Sequence, residues 1–234
     1  MSNTSKAGYL NYFMVPVSHL ALGSVPPYDL YLPPRDTSAP LLFFRKGMTF
    51  NEENRRDLER KKIKKLYIRQ DNQELYRQSV EANLGNILSD KTLPMAERSE
   101  ILYDSAQYLV HNMLDHPDHP DMLERSGRMV DHTVQFLFRE SKAFYHLMQV
   151  SSYDYYTYTH SVNAFVFSTA LAQRIGHSEE EMHSLGQGAL LHDIGKSRLS
   201  PDTLNCKGKL NDAQWKEMKM HPVFGHDILK EQGV

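Results

Sequence analysis

The residue pattern of the chain changes at Pro94, and this change constrains the fold more than any other feature of the sequence. Before Pro94, short segments rich in Tyr, Phe, Val and Leu alternate with Pro and Gly turns, as β-strands do. After it, apolar residues recur every three or four positions, which is typical of amphipathic helices. The pattern therefore predicts an α+β module followed by an all-α helical domain.

The predicted domain limits follow from this change. Residues 1–10 are small and polar and are expected to form a flexible lead-in. A small α+β accessory or regulatory domain is predicted over 11–92 and a helical connector over 93–148. The segment 149–234 is predicted to be the N-terminal part of a further helical domain.

The same signals predict the individual elements. Strands are predicted at 11–17, 28–32, 41–45 and 65–69, with helices at 51–61 and 72–88. Further helices are predicted at 97–114, 121–150, 155–175, 179–192 and 211–232. Gly176 is a typical residue to follow a helix, and Asn211 a typical residue to precede one.

Composition excludes several classes of protein. The 234 residues carry a formal net charge of −2, so the chain lacks the cationic excess of a strongly basic nucleic-acid binder. No run approaches the ~18 consecutive apolar residues of a membrane span. The single cysteine, Cys206, cannot form an internal disulfide, which favours a reducing, cytoplasmic location.

The most informative segment is an apolar stretch that leads directly into His192, Asp193, Gly195 and Lys196. An imidazole offers one nitrogen lone pair and a carboxylate offers two oxygens, so Asp193 can bridge two cations. Because adjacent helical residues point about 100° apart, both side chains reach one centre only near a helix end or a bend. A hydrogen-bonded structural histidine is the alternative interpretation of His192 taken alone.

Two further histidines can complete a metal site. His160 lies near the start of one predicted helix and His221 lies within the last one. Metal sites in helical bundles are built from inward side chains on separate helices. We therefore predict a site made of His160, His192, Asp193 and His221, whose mixed ligands favour Fe, Mn or Zn over Ca or Mg. Lys196 has donors and no lone pair, so it is suited to a phosphate.

These residues resemble the HD superfamily of metal-dependent phosphohydrolases. Later segments extend the resemblance to the bacterial HD-GYP phosphodiesterases, which act in signal transduction. The segments that carry it are 199–205, 208–210, 218–222 and 225–229. The match covers roughly residues 150–234, and the N-terminal module is similar to accessory domains found ahead of HD-GYP domains.

The resemblance implies a role for each site residue. His160 and His192 would bind metal, Asp193 would bridge two metals, and His221 would bind the second. Asp193 and Lys196 would be catalytic, with Lys196 on the substrate phosphate. The resemblance further implies a di-iron or di-manganese cofactor and a metal-bound hydroxide as the nucleophile. The expected substrate is a cyclic dinucleotide, chiefly cyclic di-GMP.

The sequence departs from the family pattern at three places. It ends at Val234, before the family's paired-His-plus-Glu segment and Gly-Tyr-Pro motif, so the resemblance implies a C-terminally truncated chain. Cys206-Lys207-Gly208 stands where the family often has Lys-Pro-Gly, and Lys207 is expected to contact the substrate phosphate from a neighbouring position. Tyr156 replaces a glutamate that supports a third metal in some members, which favours two metals at most.

Two other functions stay open at this point. Missing downstream ligands would leave a non-catalytic signalling or interaction protein with a degenerate or truncated HD domain. A generic HD phosphohydrolase acting on a mononucleotide is the third interpretation, although the segment 201–229 argues against it. A homodimer, or a signalling partner bound through the N-terminal domain, is a further expectation. No DNA or RNA partner and no membrane span are expected.

Overall fold

The computed structural model of the protein describes residues 11–34, 39–140, 142–151 and 157–233. The predicted lead-in at 1–10 and the residue Tyr156 lie outside the described residues. The chain divides into two compact units, Met1–Ile101 and Leu102–Val234. This division falls inside one long helix of the predicted connector. The domain limits at 92 and 148 remain predictions.

The first unit is built on a four-stranded antiparallel sheet in the order β1-β4-β2-β3. The strands are Tyr12–Pro16 (β1), Leu30–Leu32 (β2), Leu41–Phe44 (β3) and Lys65–Arg69 (β4). In the longest pairing, Tyr12 lies opposite Arg69 and Pro16 lies opposite Lys65. All four predicted strands are present, the first three within narrower bounds than predicted.

The core of this unit lies on one face of the sheet. In β4, Leu66 and Ile68 are buried whereas Lys65 and Arg69 are exposed, as the two-residue period of a strand requires. Helix Glu52–Arg60 (α1) adds the buried Leu58. The rest of the buried cluster consists of Val15, Leu20, Tyr28, Leu30, Phe44 and Phe50. This apolar burial stabilises the small sheet.

The single helix predicted over 72–88 is wrong, because the chain forms two helices there. They are Gln73–Ala82 (α2) and Leu84–Ser89 (α3), with Asn83 between them. The Asn83 side-chain amide donates to the Ser79 carbonyl at 2.8 Å, and the Asn83 N–H also contacts that carbonyl at 3.2 Å. This local side-chain bond competes with the helical ladder and interrupts it.

The described part of the chain after Pro94 is helical, as predicted, and contains no strand. Its elements are Met95–Asp115 (α4), Met122–Arg139 (α5), Ala143–Val150 (α6), Thr157–Arg174 (α7), Glu179–Leu191 (α8), the 3₁₀ segment Ile194–Arg198, Pro201–Leu204 (α9), Asp212–Met218 (α10) and His221–Glu231 (α11). Among the described residues, none of these helices has both the length and the apolar character needed to cross a bilayer.

Two long helices predicted in this part are also wrong. The one predicted over 121–150 ends at Arg139, because Glu140 adopts an extended conformation with φ −127°. The one predicted over 211–232 breaks after Met218 and starts again at His221. Pro222 lies in the first turn of the new helix, where its missing N–H costs no helical hydrogen bond.

The packing of α7 against α8 places their ends for the site. A Cβ on Gly186 would lie 2.9 Å from Thr169 Oγ1 and 3.2 Å from Phe165, so α8 approaches α7 closely. The short connection after α7 includes Gly176, whose φ of +88° favours glycine. The chain therefore turns back at once, and the first turn of α7 meets the last turn of α8.

Candidate metal centre

His192 and Asp193 lie where one helix ends and another begins. Helix α8 ends at Leu191, and Asp193 (φ −104°, ψ 7°) precedes the 3₁₀ segment. This change of path turns both side chains toward one point, with His192 Nε2 at 3.2 Å from Asp193 Oδ2. A helix end is predicted at this point, because regular helical geometry would direct the two side chains apart.

His160 reaches the same point from the first turn of α7. Its Nε2 atom lies 3.3 Å from His192 Nε2 and 3.7 Å from Asp193 Oδ2. One potential ligand atom from each of His160, His192 and Asp193 lies within 4.8 Å of the others. The three side chains are therefore close enough to share a single cation.

His221, the first residue of α11, approaches Asp193 from the other side. Its Nε2 atom lies 3.4 Å from Asp193 Oδ1, whereas His160 and His192 are nearest to Oδ2. The two carboxylate oxygens thus face different imidazoles. This division of oxygens is the arrangement that a carboxylate needs in order to bridge two cations.

Backbone carbonyls fix the tautomer of two of the imidazoles. His192 Nδ1 lies 2.8 Å from the Ala189 carbonyl oxygen, and His221 Nδ1 lies 2.7 Å from the Met218 carbonyl oxygen. Since a carbonyl only accepts, Nδ1 carries the hydrogen in both rings. The lone pair of a neutral ring is then on Nε2, the atom that faces Asp193, as in metal-binding histidines.

Asp193 is buried, whereas His160 and His192 beside it are open to solvent. The side chain of Asp193 is 4% exposed, compared with 55% for His160 and 38% for His192. A buried carboxylate is costly unless it is paired. Lys196 supplies that pairing from the 3₁₀ segment, with Nζ 2.6 Å from Asp193 Oδ2. A ligand can therefore approach the imidazole side of the cluster from solvent.

The donor set fits a transition-metal centre. The imidazole nitrogens of His160 and His192 group with Asp193, and His221 Nε2 faces the other carboxylate oxygen. The rings of His192 and His221 have their tautomer set for ligation. Nitrogen-rich sets of this kind suit Fe, Mn or Zn, whereas Ca and Mg prefer oxygen ligands. The structure thus brings together His160, His192, Asp193, His221 and Lys196, all of which were predicted from the sequence.

Lys207 is the predicted site residue that the structure does not join to this cluster. It is exposed in the loop between α9 and α10. Within the described ranges, no hydrogen bond or ion pair links Lys207 to His160, His192, Asp193 or His221. Its contact with a substrate phosphate therefore remains a prediction.

Gly195 has a role that its place in the motif did not reveal. A Cβ at this position would lie 1.9 Å from the His221 carbonyl oxygen and 2.3 Å from the Gly225 nitrogen. The 3₁₀ segment and α11 therefore touch through their backbones. Only glycine permits this contact, which brings His221 next to Asp193.

A cavity of about 420 Å³ opens beside His192 and was also missed in the sequence. It is bordered by α5, α8 and α11 and is mainly apolar. Its lining includes Leu123, Gln187, Leu191, Pro222, His226 and Leu229. His226 is exposed and forms part of the wall of this cavity. These residues are distant in sequence, so no local pattern indicates the cavity.

The chain is similar to known HD domain proteins. Residues 157–234 match the HD domain family. A solved structure, Bd1817, an HDG"Y"P protein from Bdellovibrio bacteriovorus, aligns with a TM-score of 0.56 and 26% identity, covering 95% of this chain and 72% of that one. The predicted resemblance to HD-GYP proteins is confirmed by these similarities.

Two curated relatives are named for their activity. The chain is 33% identical over 101 residues to "Cyclic di-GMP phosphodiesterase PA4108" of Pseudomonas aeruginosa, covering 43% of this chain and 24% of that protein. It is 35% identical over 74 residues to "3'3'-cGAMP-specific phosphodiesterase 3" of Vibrio cholerae, covering 32% of this chain and 16% of that protein. The alignments thus span about a quarter or less of each relative's length.

Proposed function

We propose that the protein is a metal-dependent phosphodiesterase that hydrolyses a cyclic dinucleotide, with cyclic di-GMP as the favoured substrate. The observation that carries this proposal is the geometry of Asp193, whose two oxygens face His221 on one side and His160 and His192 on the other. The names of the relatives support the substrate class.

The site residues divide into metal ligands and a phosphate contact. His160 and His192 would hold one cation, His221 a second, and Asp193 would bridge them. Iron or manganese fits these ligands, and such cations activate water and neutralise phosphoryl charge. Lys196 already neutralises the buried carboxylate at 2.6 Å, so its ammonium is held at the edge of the cluster. From there it would bind a phosphate oxygen and orient the scissile group.

The exposure of the site fits a nucleotide substrate. Open histidine edges leave room for a phosphodiester, and the neighbouring apolar cavity can accommodate an apolar ring surface. A cytoplasmic location, a homodimer or signalling partner, and a phosphate contact by Lys207 remain predictions from the sequence.

The test combines metal analysis with a hydrolysis assay on the purified protein. We expect bound Fe or Mn and conversion of cyclic di-GMP to a linear dinucleotide or GMP. Asp193→Asn should abolish both metal binding and hydrolysis, because the bridging carboxylate is lost. The matched variant Asp202→Asn alters an exposed carboxylate on α9 and should retain both. Equal turnover in wild type and Asp193→Asn would refute the proposed site.

The same assay separates the alternative functions. Binding of labelled cyclic di-GMP without turnover would support a non-catalytic signalling protein. Preferential cleavage of 3′3′-cGAMP would assign the protein to the specificity of its Vibrio relative's name. Cleavage of mononucleotides alone would support a generic HD phosphohydrolase.

A further inference from the structure

A polar cluster outside the metal centre joins the two chain segments that lead to Asp193 and His221. Glu217 on α10 accepts a hydrogen bond at Oε1 from the Ser200 N–H, at 2.7 Å, and at Oε2 from the Ser200 hydroxyl, at 2.8 Å. The Thr203 hydroxyl donates to the same Oε2 atom. We name Ser200, Thr203 and Glu217 the Glu217 clamp.

The three donors hold the clamp carboxylate in its charged form. The hydrogen bond from the Thr203 hydroxyl, followed by those from the Ser200 N–H and hydroxyl, lowers the pKa of Glu217 below its usual value. Hydrogen bonds to a charged carboxylate are roughly twice as strong as neutral ones. Thr203 is also buried, so water competes little for its hydroxyl. The clamp therefore ties α10 firmly to the start of α9.

The clamp is connected to the candidate metal centre through both of the chain segments that it joins. Ser200 follows Asp193 along the chain, after the 3₁₀ segment. On the other side, Glu217 directly precedes Met218, whose carbonyl accepts the hydrogen bond from His221 Nδ1. The Nε2 atom of His221 returns to Asp193 Oδ1 at 3.4 Å. Displacement of α10 would thus move the carbonyl that orients the His221 ring.

Helix α10 is held by polar contacts, which are the clamp and a hydrogen bond of 3.1 Å from the Gln214 side-chain amide to the Asp202 carbonyl. None of its seven residues is buried. By contrast, α8, which carries the Ala189 carbonyl partner of His192, buries Met182, Gly186, Leu190 and Leu191. Apolar packing therefore fixes the carbonyl behind His192, whereas polar contacts must fix the carbonyl behind His221.

We propose that Glu217 is a positioning residue for His221. Through the clamp it holds the Met218 carbonyl in place, and that carbonyl sets the tautomer and direction of the His221 ring. The expected effect of Glu217 on cation affinity rests on the proposed metal centre. Partners of this kind behind a ligand typically change metal affinity by ~10–100-fold.

The first measurement is made on metal-free protein by long-range ¹H–¹⁵N NMR of the histidine rings. In wild type, we expect both His192 and His221 to carry their hydrogen on Nδ1. In Glu217→Gln, the His221 signals should move toward a mixture of tautomers while the His192 signals stay unchanged. The His192 signals are the internal control, because a general loss of structure would alter them as well.

The second measurement is a Co²⁺ titration followed by absorbance. We expect Glu217→Gln to bind Co²⁺ ~10-fold more weakly than wild type. Asp202→Asn is the matched control beside the clamp and should bind as wild type does. Thr203→Val removes one donor and keeps the side-chain shape, so a smaller loss in the same direction is expected. If Glu217→Gln does not fold, the Co²⁺ affinity of Thr203→Val tests the role of the clamp instead.

The outcomes separate this proposal from the proposed function. Wild-type His221 signals and a Co²⁺ affinity within about twofold of wild type in folded Glu217→Gln would overturn the role of Glu217. If wild type itself fails to bind Co²⁺, the metal centre is refuted, and the NMR comparison still decides whether Glu217 orients His221.

Discussion

Lys196 pairs with the buried carboxylate and is the residue proposed to contact the substrate phosphate. Its Nζ lies 2.6 Å from Asp193 Oδ2, and its side chain is 20% exposed. We expect Lys196→Met to lower cyclic di-GMP turnover by ~100-fold, because the charge proposed to stabilise the phosphoryl group is lost. Steady-state kinetics with Mn²⁺ checks this. Lys209→Met, an exposed control in the α9–α10 loop, should be near wild type, and a comparable loss there would contradict the assignment.

His19 is the residue in the first unit that should make stability depend on pH. Its ring stacks on Tyr76 at an interplanar angle of 1°, and its Nδ1 contacts the Tyr76 hydroxyl. Burial lowers the pKa of His19 from 6.5 to about 4, although the nearby Glu97 opposes this. The unfolded chain binds the proton more readily than the folded chain does. The contribution of neutral His19 to the free energy of unfolding is therefore fully present above pH 6.5, and it is lost as the pH falls toward 4.

The expected loss between about pH 7.5 and pH 5 is about 2 kcal/mol of unfolding free energy from this one group. Urea denaturation at the two pH values measures it. His19→Gln cannot take up the proton and should show a pH dependence smaller by that amount. An identical pH dependence in both proteins would show that His19 does not titrate as described.

At the scale of elements, the contact between the 3₁₀ segment and α11 determines whether the site assembles. A Cβ on Gly195 would collide with the His221 carbonyl, whereas a Cβ on Gly188, in α8, would meet nothing within 4 Å. We expect Gly195→Ala to weaken Co²⁺ binding by at least ~10-fold and to cost ~1–3 kcal/mol of stability. Gly188→Ala should keep the affinity and raise stability by up to ~1 kcal/mol.

Urea denaturation and Co²⁺ titration of both variants check this pair. Similar behaviour of Gly195→Ala and Gly188→Ala would mean that the two backbones can separate without disturbing His221. The comparison is informative because the substitution is chemically the same, and only the space around each α-carbon differs.

At the scale of the whole molecule, metal binding and folding should be coupled. A cation that binds only the folded chain stabilises it by ~2.7 kcal/mol at a hundredfold excess over its Kd. We therefore expect Co²⁺ to raise the urea midpoint of wild type and EDTA to reverse the effect. Asp193→Asn should show neither change. A Co²⁺ response of equal size in Asp193→Asn would place the metal elsewhere.

The sequence by itself determined the order of the architecture and the chemistry of the site. Short strand-like segments between turns lie before Pro94, and apolar residues recur every three or four positions after it. Both patterns are local, because the spacing of buried residues follows the geometry of the backbone. The same holds for the helix end at His192 and Asp193, because adjacent polar ligands after an apolar stretch can converge only at such an end.

Only the tertiary structure decided which imidazole faces which oxygen of Asp193. It also decided the breaks at Asn83 and after Met218, the backbone contact at Gly195, and the clamp at Glu217. These features depend on distances between residues far apart in the chain or on competition between weak local bonds. A one-dimensional pattern records residue types and spacing, whereas such distances are fixed by close packing of the folded chain.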